Sequence, residues 1–213
     1  NDQKLAKALA SLGDLYVNDA FPVSHREHAS IVGIPKYLPS YAGLQFEKEI
    51  SHLSKLIKKP TKPFLVIIGG AKFDTKLPLI KRFLKVADNV FVGGALANDF
   101  LKLAGFEEGN SLVEDGYDLK ALLKNKKILL PIDVEVLRNG KALSCTLEDI
   151  KPGDVIIDSG KNTTKLLAKI VANSKTVLWN GPLGKYESPH GKEASLSVLK
   201  ALTKNRKCFS VIG

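Results

Sequence analysis

One local pattern recurs in five runs of this chain after residue 60: a short, mostly β-branched apolar stretch that stops at glycine. The runs are "FLVIIGG", "NVFVGG", "DVIIDSG", "TVLWNG" and "CFSVIG". None alternates apolar with polar residues, as expected of strands covered on both faces. The segments between them, "DTKLPLIKRFLKVA", "ALANDFLKLAG", "NTTKLLAKIVANS" and "KEASLSVLKALTKN", place Leu, Ile, Val or Ala at helical spacing. Strand-helix alternation predicts a parallel sheet with right-handed crossovers and helices on its faces. Pro78 is expected in the first turn of its helix, because deeper in it would remove a backbone hydrogen bond and clash with the preceding turn.

Residues 1–42 follow a different pattern. "QKLAKALASLGD" reads as a helix closed by Gly13, "LYVNDAF" as a strand leading into a turn, and "PVSHREHASIVGIPKYLPS" as a proline-punctuated loop. This is too little to close a core alone. Residues 43–59 then form an amphipathic connector helix with Leu44, Phe46, Ile50, Leu53, Leu56 and Ile57 on one face, ended by Pro60. The expected organisation is a remnant of one lobe at 1–42, a connector at 43–59 and a second lobe at 60–213. With no methionine anywhere and a strand-like "CFSVIG" at its end, the chain is expected to be a piece of a longer one.

With 213 residues, 44% of them hydrophobic and 25% charged, the chain has globular composition. No apolar run approaches the roughly 18 residues of a membrane span, and the first residues lack a signal-peptide layout. Cys145 and Cys208 stand far apart, outside any C-x-x-C spacing, so a reducing, cytoplasmic setting is the expectation. The net charge of +10 favours anionic partners, nucleic acid or phosphorylated metabolites. The densest basic runs, "KLIKKPTK", "KNKK" and "KNRK", contain no aromatic side chain on which bases would stack.

In an open parallel sheet the crevice lies at the carboxyl ends of the strands, and all five glycine-ended runs are expected on that one edge. Glycine there would let phosphate oxygens approach backbone N–H groups, with helix N-termini adding positive dipole. After Gly69 come Lys72 and Lys76, one helical turn apart and able to reach the same anion; a solvated lysine pair fits that spacing equally well. In "LWNGPLGKYE", Asn180, Gly181, Pro182 and Gly184 force a rigid turn from which Glu187 can meet a ligand hydroxyl. Neither G-x-x-x-x-G-K-[ST] nor G-x-G-x-x-G is present. His25 and His28 have no acid or cysteine cluster beside them, so no metal-ligating set is expected.

Taken together, "YVNDAF", "SHREH", "GGAKFDTK", "VGGALANDFLK", "GNSLVE", "LLPIDV", "DSG" and "WNGPLGKYE" resemble the phosphoglycerate kinase family in order and spacing, from the first residue to the last. The resemblance implies a Rossmann-like nucleotide lobe, a parallel sheet sandwiched by helices, with a remnant of an N-terminal substrate lobe. It also implies a monomeric glycolytic enzyme moving a phosphoryl group between 1,3-bisphosphoglycerate and ADP, giving 3-phosphoglycerate and ATP, with Mg2+ and with neither nucleic acid nor membrane as partner. Carried over to this chain, Lys72 and Lys76 would contact the transferring and nucleotide phosphates. Gly69, Gly93 and Gly94 would form adenine-side backbone, together with Gly160 of the D-x-G stretch. Asn180, Pro182 and Gly184 would make the nucleotide turn, Glu187 would hold the ribose, and Arg26, with His25 beside it, would bind the phosphoglycerate phosphate.

Several positions depart from the family pattern. Thr75 stands where many members have Asp, Lys185 and Tyr186 replace valine and phenylalanine, and Lys161 stands where proline is common. An upstream aspartate-asparagine strand and a C-terminal glycine-rich turn lie outside the sequence, so this length of chain is expected to be inactive in a coupled assay. Two other readings compete: a basic module that holds nucleotides or nucleic acid without catalysis, and a dinucleotide-dependent oxidoreductase, which the missing glycine fingerprint disfavours.

Overall fold

The computed structural model describes residues 2–114 and 116–213. The chain divides into two compact units, Asn1–Lys59 and Pro60–Gly213. Among the described residues no helix is long and apolar enough to cross a membrane.

The first unit begins with helix α1, Gln3–Ala10, whose N-cap Asp2 accepts the N–H of Lys4 and Leu5. Its end lies before Gly13: Ser11 is the C-cap, and its hydroxyl donates to the Ala8 carbonyl at 2.8 Å. Strands β1 (Tyr16–Asn18) and β2 (Ser40–Ala42) pair in parallel. The expected loop between them contains two short 3-10 turns and a π-helical turn at Ala29–Gly33. Helix α2 runs Leu44–Lys58, and the Asp19 carboxylate caps its start by accepting the Phe46 N–H at 2.8 Å. Of its apolar face only Leu56 is buried; Leu44 is 85% exposed.

The second unit is built on a sheet of five parallel strands: β3 (Phe64–Ile68), β4 (Asn89–Val92), β5 (Ile128–Leu129), β9 (Thr176–Asn180) and β10 (Phe209–Ile212), in the order β10-β9-β3-β4-β5. β3 is central, and every one of its residues is buried. Helices α3 (Phe73–Phe83), α4 (Ala95–Leu103), α5 (Lys120–Leu123), α6 (Lys161–Asn173) and α7 (Glu193–Lys204) connect the strands. Leu65 and Ile67 of β3 pack with Leu167, Val171, Val198 and Leu202 of α6 and α7, while Phe64 meets Phe83 of α3 edge to face. Helices therefore cover the central strand on both sides, as its unbroken apolar run requires; the edge strand β10 departs from that expectation, with Ser210 and Ile212 exposed. Each such Leu, Ile or Phe removed from water contributes roughly 1.5–3 kcal/mol.

Two expectations need correction. The run "DVIIDSG" is not in the parallel sheet. Its strand β8 (Val155–Ser159) lies antiparallel to β6 (Asp133–Arg138), which also pairs with β7 (Lys141–Thr146), making a separate three-stranded sheet. The hairpin turn Asn139–Gly140 has φ of 50° and 76°, the left-handed pair that a two-residue connection needs. Pro78 sits inside α3 and not in its first turn, because the helix already begins at Phe73.

Candidate functional site

At the carboxyl ends of β3, β4 and β9 the backbone is laced together. The N–H of Gly69 donates to the Asn180 carbonyl at 2.9 Å, that of Gly70 to Pro182 at 2.8 Å and that of Gly94 to Leu183 at 3.0 Å. A Cβ on Gly69 would collide with the Pro182 carbonyl; one on Gly94, whose φ is +62°, would stand 2.7 Å from the Gly70 nitrogen. Close approach of three segments is therefore why glycine stands here. The N–H groups of Gly93 and Gly160 are also taken, by the carbonyls of Ile68 and Asp133. This corrects the expected reason for these glycines: their amides are bonded within the protein instead of facing phosphate oxygens.

Two helix starts are likewise occupied. The Asp133 carboxylate accepts the N–H of Asn162 at 2.9 Å, the N–H of Thr163 at 2.8 Å and the Thr163 hydroxyl at 2.6 Å, closing the start of α6. Burial works to raise the Asp133 pKa, but these donors outweigh it and hold the carboxyl below its ordinary range. Asp158, at the end of β8, accepts the N–H of Ala194 at 3.0 Å and caps α7. It is only 2% exposed, and burial pushes its pKa up to about 6 against the pull of its backbone donors.

Between these elements, within the second unit, lies a crevice of about 520 Å³. Gly70, Ala71 and Gly94 form one wall, Val155–Ser159 of β8 another, and the turn Pro182–Glu187 a third; Ala97, Asn98, Leu101 and Leu112 also line it. The turn is anchored from three sides. Trp179 Nε1 donates to the Gly181 carbonyl at 2.6 Å, Leu183 N–H to the Ser195 hydroxyl at 3.1 Å, and Lys185 N–H to the Ile157 carbonyl at 2.7 Å.

Of the residues expected at a site, Gly94, Pro182, Gly184 and Glu187 lie on this crevice wall. Gly69, Gly93, Gly160 and Asn180 do not line it; each stands within two residues of one that does. Lys72 and Lys76 are also off the wall, though Lys72 directly follows Ala71. Lys72 is the N-cap of α3, in extended conformation, so only Lys76 belongs to the helix proper. Half-buried there, Lys76 has its pKa lowered by burial. Beside them the Phe73 N–H donates to Glu114 at 3.3 Å, and the Tyr117 hydroxyl donates to Asp74 at 2.5 Å, a bond that raises the Tyr117 pKa to about 12. His25 and Arg26 are exposed on a turn of the first unit. Among the described residues no group of three or more His, Cys, Asp or Glu is placed to hold a metal.

Sequence reasoning missed Asn98, Asn110 and Ser159, all on the wall. A signal existed for Asn98: in "ALANDFLKL" the polar pair Asn98–Asp99 interrupts the apolar run Ala95–Leu101, and both side chains are buried.

An open parallel sheet, helices on both faces and a crevice at the strand carboxyl ends define an α/β protein of the class that takes ligands at that edge. The family model Phosphoglycerate kinase matches residues 1–213. The curated phosphoglycerate kinase of Dictyoglomus turgidum is 38% identical over 224 residues, covering 100% of this chain and 57% of the relative. That of Mycoplasma pneumoniae is 40% identical over 226 residues, covering 100% and 55%. The solved phosphoglycerate kinase of Coxiella burnetii superposes with a TM-score of 0.83 at 33% identity, over 100% of this chain and 57% of that one. The Pyrococcus horikoshii OT3 structure also gives 0.83, at 27% identity and 58% of its chain. This chain belongs to the phosphoglycerate kinase family, and it spans somewhat more than half the length of the relatives it matches.

Proposed function

We propose that the chain carries the nucleotide-binding part, and a portion of the phosphoglycerate-binding part, of an enzyme that moves a phosphoryl group reversibly between 1,3-bisphosphoglycerate and ADP, giving 3-phosphoglycerate and ATP. The observation that carries this reading is the 520 Å³ crevice walled by Gly70, Ala71, Gly94 and the 182–187 turn. Flat glycine surface and apolar side chains suit an adenine ring, and the exposed Glu187 at the rim is an acceptor for ribose hydroxyls. Asn180, Gly69 and Gly93 hold the rim in shape through their backbone, while Gly160 leaves room for the Asp133 cap.

From Ala71 the chain passes straight to Lys72 and the start of α3, so the polyphosphate is assigned to Lys72 and Lys76. In phosphoryl transfer the protein does little covalent work; fixed cations stabilise charge spreading over the equatorial oxygens. No general base is required, since the attacking oxygen of ADP is already ionised. Arg26 offers a planar fork to the phosphoglycerate phosphate, with His25 beside it. Among the described residues no protein cage for Mg2+ is built; such an ion is commonly held by one or two carboxylates and substrate phosphates.

Calorimetric titration of this 213-residue chain with ADP tests the reading. Lys76→Ala is expected to weaken ADP about tenfold, the scale of one charge-assisted contact. An unchanged affinity removes Lys76 from the phosphate path, and no binding at millimolar ADP removes the crevice assignment itself.

A further inference from the structure

Helix α6 borders two cavities besides the crevice. One, of about 350 Å³, opens at the amino-terminal edge of the sheet, where Phe64 and Leu65 of β3 and Asn89 of β4 meet Lys169 and Ile170. The other, of about 340 Å³, lies nearer the start of α6, against Phe91, Phe106, Leu129 and Leu167. Leu166 and Ile170 line both, and Leu166 is 43% exposed. Thr163, Leu166, Ile170 and Asn173 recur at three- and four-residue spacing, so one face of α6 runs past both compartments. From Thr163 to Asn173 the helix advances roughly 15 Å at its ordinary rise, a length that suits an extended chain more than a ring. Of these walls only Leu101 and Pro131 also line the nucleotide crevice, which makes this a separate place in the fold.

The two compartments differ in polarity. Among the described residues Thr163 has the only polar side chain on the inner wall, and its hydroxyl is satisfied: it donates to the Asp133 carboxylate at 2.6 Å and accepts the Ile132 N–H at 2.9 Å. An occupant there gains by being apolar. The outer compartment has Lys169 on its wall, and Lys62 and Lys175 directly flank the wall residues Pro63 and Ser174. All three lysines are exposed. Asp88 pairs with Lys62 at 2.8 Å, while among the described residues Lys169 and Lys175 have no ion-pair partner. An occupant gains at that end by carrying a negative charge. We propose that the two compartments form one binding groove for a single-chain alkyl carboxylate, its head at Lys169 and its chain laid along α6 past Leu166 towards Phe91 and Leu129. Binding is noncovalent and independent of the nucleotide reading.

The experiment titrates the 213-residue chain with octanoate, decanoate and dodecanoate below their micelle concentrations, and with decanol. Each added CH2 is expected to tighten binding about fourfold while the chain still lies in the groove. Decanol, which lacks the charge, is expected to bind about tenfold more weakly than decanoate. Lys169→Glu is expected to weaken decanoate at least about tenfold. Leu166→Asp, which sets a carboxylate on the wall common to both compartments, is expected to abolish binding. Lys169 is exposed, so its variant decides even where Leu166→Asp does not fold. Lys200→Glu on α7 makes the same charge change off the groove and is expected to leave decanoate unaffected. No binding at millimolar decanoate, an affinity indifferent to chain length, an unchanged affinity in Lys169→Glu, or an equal loss in Lys200→Glu each overturns the proposal. Adsorption to phosphatidylserine vesicles without decanoate binding marks a membrane-surface contact instead and also overturns it.

Discussion

The two units of this chain solve the problem of burial very differently. In Pro60–Gly213 the central strand Phe64–Ile68 is at most 1% exposed at every position, and helices pack on both faces of its sheet. In Asn1–Lys59 the buried hydrophobic residues are Ala6, Ala10, Ala29, Ile34 and Leu56, while Leu5, Leu12, Leu15, Tyr41 and Leu44 are each at least half exposed. Amphipathic patterning is present in both. The difference teaches that patterning alone does not make a core: a stripe of apolar residues stabilises the fold only where another layer covers it. It also shows where tolerance to substitution should lie.

The largest expected effect comes from separating the units. Residues 60–213 alone should unfold cooperatively on heating, whereas residues 1–59 alone should show no cooperative transition by circular dichroism, since a domain of about 60 residues is marginal even with a complete core. A folded 1–59 peptide would break the comparison.

Next comes the buried carboxyl of the second unit. The folded pKa of Asp158 is raised from 3.8 to about 6, so between those values the native state holds more proton than the unfolded one. Stability from this group is fully present below pH 4 and is lost as pH rises through about 6, a change of up to roughly 3 kcal/mol. Asp88, Asp133 and Asp154, all lowered, act in the opposite sense: they stabilise above pH 4, and that contribution disappears as pH falls through their folded values. Urea unfolding at pH 4.5 and 6.5 should therefore show a component that Asp158→Asn abolishes; an identical pH dependence in the variant would show that Asp158 does not titrate in this window.

The smallest effect belongs to the first unit. Leu44→Ser, at 85% exposure, should change stability by no more than about 0.5 kcal/mol in the same assay. A loss several times larger would mean that the apolar face of α2 is covered in solution, and the contrast between the units would narrow.

Much of the second unit was legible from its residues. The runs ending at Ile68, Val92 and Asn180 carry no polar alternation because both faces are covered, and that signal is local. β8 was misplaced because an apolar run of five residues reads the same in either kind of sheet; the Asn139–Gly140 hairpin was the clue that it belonged elsewhere. At the crevice, the turn Asn180–Glu187 could be read from its Gly and Pro content, since those residues restrict the chain wherever it goes. Asn98 and Ser159 could not be read as a pair, because 61 positions separate them and nothing in a linear pattern records that α4 and β8 line one cavity.

By itself, then, the order of residues determined which segments become strands and helices, where the glycine turns fall and which charges follow them, because propensity, periodicity and turn chemistry act over a few neighbours. Only the tertiary structure decided what those glycines are for. Their amides are bonded across β3, β4 and β9 and their missing side chains admit neighbouring backbone, which depends on atoms brought close by packing and distant in the chain.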